Sequence, residues 1–157
     1  ERLKAYYKDV NVDGNVFKAV LAVSPDSPFD FHQRVEALND FIQKIESKSL
    51  IEANKRIANI LKDFDSNDVE LDARLLIEDS EQKLFQATES IAKQLSEQKD
   101  YKAIVRSLLE LKEVIDTFFD KVMVNVDDIE LRQTRLKLIS RVRSLFLSVA
   151  DVSYLSS

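Results

Sequence analysis

The basic side chains near the end of the chain are the first candidates for chemistry. Between Leu131 and Ala150 the sequence carries cations but no Asp or Glu. The cations are Arg132, Arg135, Lys137, Arg141 and Arg143. On a helix at about 100° per residue, Lys137 and Arg141 fall opposite the apolar face and are expected to be solvated. Arg132 and Arg143 fall on the border of that face.

Arg135 differs from the other cations because it falls on the apolar face itself. That face is centred on five residues: Leu131, Leu138, Val142, Leu145 and Val149. A buried guanidinium group needs a hydrogen-bond acceptor. Arg135 is therefore either paired within the protein, which is the commoner arrangement, or directed at a ligand in a groove.

A second polar cluster lies earlier in the chain. Lys55, Arg56 and Asn59 share one face of a predicted helix. Three residues share the opposite, apolar face: Leu50, Ile57 and Leu61. The helix is expected to begin at Ser49, whose side chain would form a capping box with Glu52.

Catalytic groups are scarce. His32 is the lone histidine, and no partner for it as a general base is identifiable. Asp127-Asp128 stands at an expected helix start, where carboxylates usually act as caps. Residues 63–68 imitate a calcium loop, but Asp68 replaces its required Gly and Arg74 replaces its bidentate Glu. We interpret that stretch as a solvated turn.

Composition excludes several classes of site. The chain has 157 residues, with 23 Lys and Arg against 28 Asp and Glu, and a net charge of −5. Because it has no Cys, one His and one Gly, it cannot form disulfides, thiolate or multi-histidine metal sites, or a Gly-rich phosphate loop. The negative charge argues against non-specific nucleic-acid binding but permits a local basic patch.

Long helices should position these side chains, because the chain has only one Gly and two Pro. We predict an all-α fold, a single bundle of six or seven helices. The first helix is predicted from Asn15 to Val23, with four side chains inward: Val16, Phe17, Val20 and Leu21. A turn at residues 24–28 should end it, and Asp30 is expected to cap the next helix. That helix carries an apolar stripe: Phe31, Val35, Leu38, Ile42 and Ile45.

The second half of the chain predicts three more helices. One runs from residue 79 or 80 to Gln98, and Asp100 should cap the next. The latter carries a heptad pattern, here called the seam: Tyr101, Ile104, Leu108, Leu111, Ile115, Phe118 and Val122. A capping box of Asp127 and Glu130 is expected to open the last helix, which should reach about Ala150. A seam within a bundle is usually core, but it leaves open an alternative function, a scaffold that binds a partner protein.

The chain also reads as a piece of a longer protein. Its only methionine is Met123, and residues 1–7 read as helix without a preceding cap. We expect one helical domain over residues 1–157, in which residues 1–7 are the tail of a preceding helix.

Four segments resemble the C-terminal region of the beta subunit of bacterial glycyl-tRNA synthetase. The first three are SPDSPFDF at 24–31 with Arg34-Val35, EANKRIANIL at 52–61 and DARLL at 72–76. The fourth is FFDKVMV at 118–124, continued by Asp127-Asp128, Leu131-Arg132, Arg135-Leu136 and the tail from Leu145 to Ser153. Asn125 and Thr134 depart from the family pattern, where Met and Asn are expected, so neither carries a role over from it.

The resemblance implies an all-helical anticodon-binding domain similar to that of arginyl-tRNA synthetase. It further implies a cytoplasmic parent enzyme of two alpha and two beta subunits that joins glycine to its tRNA with ATP and Mg²⁺. In that family the alpha subunit carries the aminoacylation centre. The implied partners are glycine tRNA and the alpha subunit, with no cofactor in this segment, no DNA and no membrane.

Glycine anticodons end in two cytosines, because glycine codons are GGN. Unpaired bases in RNA are read on their Watson–Crick edges and by stacking. A cytosine needs an acceptor for its N4 amine and donors for N3 and O2, while nearby phosphates need Lys or Arg. The candidate tRNA-binding residues are therefore Lys55, Arg56, Asn59, Asn125, Arg132 and Arg135. A catalytic residue is not expected.

Overall fold

The computed structural model describes residues 14–156, and within that range the chain forms seven α-helices and no strand. The helices are α1 Gly14–Leu21, α2 Pro28–Ile42, α3 Ser47–Ile60, α4 Asp79–Glu97, α5 Tyr101–Leu109, α6 Lys112–Lys121 and α7 Ile129–Leu147. Three short 3₁₀ turns lie at Ser66–Asp68, Ala73–Leu75 and Val152–Tyr154. The predicted all-α fold of six or seven helices is confirmed. The expected helical tail at residues 1–7 lies outside the described residues.

Each helix buries one face in a shared hydrophobic core. Its largest fully buried side chains include Phe41 from α2, Phe118 from α6 and Phe146 from α7. Burying such a ring contributes about 1.5–3 kcal/mol. Helix α2 packs chiefly on α5 and α4 chiefly on α6, while α7 contacts both α3 and α4. The core therefore fixes α3, α6 and the start of α7 relative to one another.

The first two helices differ from prediction at their ends. Leu21 is not inward but 53% exposed, because α1 ends there. Asp30 is not the cap of α2. Ser27 accepts the backbone N–H of Asp30, and Pro28 occupies the first turn, where its missing N–H costs nothing. Ile45 lies beyond the end of α2 and is 90% exposed, so the apolar stripe stops before it.

Both predicted capping boxes are wrong. Helix α3 begins at Ser47, two residues before Ser49, and the Ser49 hydroxyl donates instead to Asp116 at 2.7 Å. Helix α7 begins at Ile129, and its cap is Asp128, which accepts the Leu131 N–H at 3.3 Å. The signature of a helix start shifts easily by one or two residues because several polar side chains compete to cap the same free N–H groups.

The seam is buried, but it does not run along one helix. Asp100 caps α5 as predicted, and the helix breaks at Glu110 and Leu111 before α6. At the break the N–H of Leu111 bonds to the Leu108 carbonyl, three residues back, which tightens the turn. The seam residues from Ile104 to Val122 remain buried on both sides of this turn. In the described chain the seam is thus internal core.

The remaining boundaries agree closely with expectation. Helix α4 ends at Glu97, one residue before the predicted end, whereas α7 ends at Leu147, before the predicted Ala150. The acidic loop after α3 forms a 3₁₀ turn in which Asp65 accepts the Asn67 N–H. Among the described helices, none is both long enough and apolar enough to span a membrane.

Candidate nucleic-acid interface

Lys55, Arg56 and Asn59 lie together on the exposed face of α3. The core takes the opposite side of the helix through Leu50 and Ile57, which turns the three polar residues outward. Within residues 14–156, their side chains form no hydrogen bond or ion pair with the protein. Their donors are consequently available to a ligand.

The guanidinium group of Arg56 lies over the ring of Phe119 on α6, 4.5 Å from its centroid. A stacked guanidinium group is held in place by the ring face while its N–H edge stays free. This contact spans a groove of about 490 Å³ between α3 and α6. The groove is lined by Ser49, Glu52, Ala53, Arg56, Asp116, Phe119 and Asp120.

Three carboxylates line the same groove, and one of them is engaged by the protein. Asp116 accepts the Ser49 hydroxyl at 2.7 Å and the Lys112 ammonium at 2.8 Å. The hydrogen bond with Asp116 raises the pKa of Lys112 above its usual value. Glu52 and Asp120 are exposed and have no hydrogen bond or ion pair among the described residues. The groove therefore offers both the donors of Arg56 and free carboxylate acceptors.

Two side-chain contacts join α3 to α6 along this groove. Ser49 bonds to Asp116, and seven residues further along α3 Arg56 stacks on Phe119, three residues further along α6. The chain continues from α6 through a connector, residues 122–128, into α7.

The connector alternates buried and exposed side chains. Val122 and Val124 are buried in the core, whereas Met123 is 71% exposed and Asn125 is exposed. The N–H of Val126 bonds to the Val124 carbonyl at 3.0 Å. The two valines thus anchor the connector and leave Met123 and Asn125 facing away from the core.

Arg132 lies half-buried in the first turn of α7, beside this connector. Its Nη1 donates to the Val126 carbonyl at 3.2 Å. The other guanidinium N–H groups make no hydrogen bond within the described residues. Of the predicted contacts on α7, Arg132 is the one that retains donors for a ligand.

Arg135 is paired within the protein, the first of the two alternatives that its position allowed. It is 7% exposed, and its Nε donates at 2.7 Å to Glu81 of α4, a carboxylate with no exposed surface. Its Nη1 donates at 2.7 Å to the Met123 carbonyl. The structure therefore places Arg135 behind the connector rather than on the surface.

The other cations of α7 are also used by the protein. Lys137 donates to the Ser66 carbonyl at 2.6 Å, Arg141 pairs with Glu89, and Arg143 pairs with Asp151. The basic residues of α7 therefore mainly link this helix to neighbouring parts of the protein. Phe119 and Asp120 were not predicted as site residues, because only the pairing of α3 with α6 brings them to Arg56. Glu52 was also missed, although it precedes Arg56 by four residues and so lies on the same helix face.

A second groove, of about 330 Å³, lies where the DARLL segment meets α7. The Asp72 N–H donates to Thr134, and the Asp72 carboxylate pairs with Arg74. The hydrogen bond from Arg74 lowers the pKa of Asp72. Glu70 and Glu130 add further acidic groups to this groove, so it suits an anion poorly. No group of three or more His, Asp or Glu side chains in residues 14–156 could hold a metal ion.

Comparison with known proteins gives two results. The model of the DALR anticodon binding domain family matches residues 50–152, from α3 to the end of the bundle. The chain is also 45% identical over 159 residues to the glycine–tRNA ligase beta subunit of Pseudomonas aeruginosa strain LESB58, covering 99% of this chain and 23% of that protein.

Two further relatives carry the same name. The protein of Acinetobacter baumannii strain ATCC 17978 is 43% identical over 157 residues, which is 98% of this chain and 23% of the relative. That of Hahella chejuensis is 39% identical over 162 residues, which is 100% of this chain and 23% of the relative. The resemblance drawn from the four sequence segments is confirmed.

Proposed function

The chain belongs to the DALR anticodon-binding domain family, and from that premise we propose that it binds the anticodon loop of a glycine tRNA. The observation that carries the proposal is the extent of the family match. Residues 50–152 include every candidate contact from Lys55 to Arg135. The absence of a catalytic constellation in the sequence agrees with a binding role.

The parent activity is part of the same proposal. The relatives are named as beta subunits of glycine–tRNA ligase, and the chain spans 23% of their length. We infer that the chain serves an enzyme that joins glycine to tRNA with ATP and Mg²⁺, together with an alpha subunit, in the cytoplasm. No residue of this chain is assigned to ATP, Mg²⁺ or the alpha subunit.

The groove between α3 and α6 has the chemistry to read a cytosine edge. Arg56 offers donors for N3 and O2 of the base, and Glu52 or Asp120 offers an acceptor for its N4 amine. Uracil at the same position would present a carbonyl to those carboxylates. If a bound base covers these exposed groups, leaving them unpaired costs about 1–3 kcal/mol, enough to discriminate between the two bases.

The remaining candidates lie on the exposed face of α3 and at the connector. Lys55 and Asn59 lie on the same face of α3, where they suit a phosphate and a polar base edge. Asn125 and Arg132 border the connector, and Met123 offers an exposed apolar surface on which a base can pack. We assign Arg135 no direct contact with RNA, because it is buried and its Nε and Nη1 both donate within the protein.

The alternative function, a protein-binding scaffold built on the seam, is not favoured by any observation. A docking seam has to be exposed, but its residues from Ile104 to Val122 are buried in the described chain.

The experiment is a titration of the chain with a glycine tRNA anticodon stem-loop and with the same stem-loop carrying uracil in place of the two cytosines. We expect at least about tenfold tighter binding of the unchanged loop, which corresponds to about 1.4 kcal/mol. If both loops bound equally and binding weakened with salt, the protein would contact the phosphates without reading the bases. Failure to bind either would contradict the proposal.

A further inference from the structure

The most deeply buried ion pair in the described chain, Arg135 with Glu81, lies behind the connector and also bonds to it. Arg135 and Glu81 join α7 to the first turn of α4. The same guanidinium group donates from Nη1 to the Met123 carbonyl. One side chain thus fixes a point of the connector relative to two helices.

The connector has few other restraints between its anchoring valines and α7. The Val126 N–H bonds to the Val124 carbonyl, and Arg132 reaches the Val126 carbonyl from the surface. The Met123 carbonyl is held from inside by Arg135 alone among the described residues. Because the carbonyl carbon is bonded to the Cα of Met123, holding this carbonyl restricts the backbone from which the exposed Met123 side chain extends.

We propose that the Glu81–Arg135 pair is a positioning device, which holds Met123 and Asn125 in place for RNA. The inference rests on the proposed function. Arg135 touches no RNA itself but acts through the connector. Glu81 holds the buried guanidinium group in one orientation, so that its second donor points at the Met123 carbonyl.

Stability alone does not account for a buried ion pair at this position. Replacing such a pair with apolar side chains of similar volume is often neutral or stabilising, because the pair has to be desolvated. An apolar pair would pack α4 against α7 but could not hold the Met123 carbonyl. This difference separates positioning from stabilisation in an experiment.

The test is the double variant Glu81→Leu with Arg135→Met. We expect its melting temperature to fall by only about 2–4 °C, because Glu81→Leu also removes the oxygen that accepts the Glu78 N–H at 3.1 Å in the capping box of α4. We also expect the amide hydrogen of Val126, which bonds to the Val124 carbonyl, to exchange at least about tenfold faster, and the cytosine stem-loop to bind about tenfold more weakly, as for loss of one charge-assisted hydrogen bond.

A matched control is the double variant Glu89→Gln with Arg141→Gln. This exposed pair also joins α4 to α7, and its removal changes the charge in the same way without touching the connector. We expect wild-type amide exchange and wild-type binding. If this control lost as much binding as the Glu81→Leu, Arg135→Met variant, the effect would come from helix packing. That result would overturn the positioning role.

A second variant, Arg135→Lys, tests the inference if the double variant does not fold. It keeps a charge beside Glu81, but a single ammonium group replaces the two separate guanidinium nitrogens. Faster connector exchange with weaker binding supports the proposal; wild-type exchange and binding would overturn it. If the wild type itself bound no stem-loop, the proposed function would fail, while connector exchange would still report whether Arg135 holds the connector.

Discussion

Helices α3 and α7 both carry clustered cations, yet they use them in opposite ways. On α3, Lys55 and Arg56 face solvent, and Arg56 is steadied by an aromatic ring rather than by a carboxylate. On α7, Arg135 and Arg143 are bound to carboxylates of the protein. A run of basic residues in a sequence therefore does not locate a binding surface until the partners of each cation are known.

The largest difference should appear in stability. Arg135→Met leaves the buried Glu81 carboxylate without its ion-pair partner, with only the Glu78 N–H as donor, and we expect a loss of about 3–5 kcal/mol in the free energy of unfolding. Arg56→Ala removes only an exposed cation–π contact, for which about 0.5–1 kcal/mol is expected. Urea denaturation of both variants measures this contrast. Equal losses would mean that the two cations do not differ as the structure indicates.

The variant Arg132→Ala tests whether α7 binds RNA through a basic side chain. Arg132→Ala should weaken stem-loop binding about tenfold and leave the fold intact, because the residue is half-buried and keeps free donors beside the connector. Lys137→Ala is the matched control on the same helix, since its ammonium group is held by the Ser66 carbonyl. Equal affinities of the two variants for the stem-loop would show that Arg132 of α7 does not contact the RNA.

Lys55 should have a smaller effect that does not depend on sequence. If it contacts a phosphate, Lys55→Ala should weaken binding of the cytosine and uracil loops by the same few-fold factor. The slope of log affinity against log salt should also fall by about 0.7, the value for one single-stranded phosphate contact. Arg106→Ala removes an equal charge from α5 and should change neither quantity. An unchanged salt slope for Lys55→Ala would exclude the phosphate contact.

Arg34 ties the segment after α7 to α2. Arg34 donates to the carbonyls of Ser148 and Val149, and it shares Asp30 with the Tyr101 hydroxyl. Burial acts to raise the pKa of Asp30, but hydrogen bonds from Tyr101 and Arg34 outweigh it and lower that pKa below its usual 3.8.

The lowered pKa of Asp30 predicts a pH dependence. Since the folded pKa lies below the unfolded one, the stabilisation is present above about pH 3.8 and is lost as pH falls through the lower folded value. Tyr101→Phe should cost about 1 kcal/mol at pH 7 and less at pH 2. Urea midpoints at the two pH values test this, and an equal or greater loss at pH 2 would contradict it.

Sequence periodicity predicted the helices well but their ends poorly. The apolar spacing of Ile104, Leu108 and Ile115 defined core positions correctly, because burial of one face is a local property of the pattern. The break at Leu111 and the starts at Ser47 and Ile129 depend on competing caps and on packing between distant helices.

The candidate site was predictable only in part. Exposure of Lys55, Arg56 and Asn59 followed from the helical face that they share. Phe119 could not be assigned to Arg56, nor Glu81 to Arg135, because both pairings join helices far apart in the chain. The sequence did indicate that Arg135 needs a hydrogen-bond acceptor, because it falls on an apolar helix face. It could not indicate that this acceptor is Glu81.

The most direct test of the α3 surface is a four-way binding comparison at one salt concentration. Wild type and Arg56→Ala are each titrated with the cytosine and the uracil stem-loop. The wild type should prefer the cytosine loop at least about tenfold, and in Arg56→Ala that preference should fall to nearly one. A preference that survives intact in Arg56→Ala would contradict the claim that the groove between α3 and α6 reads the anticodon.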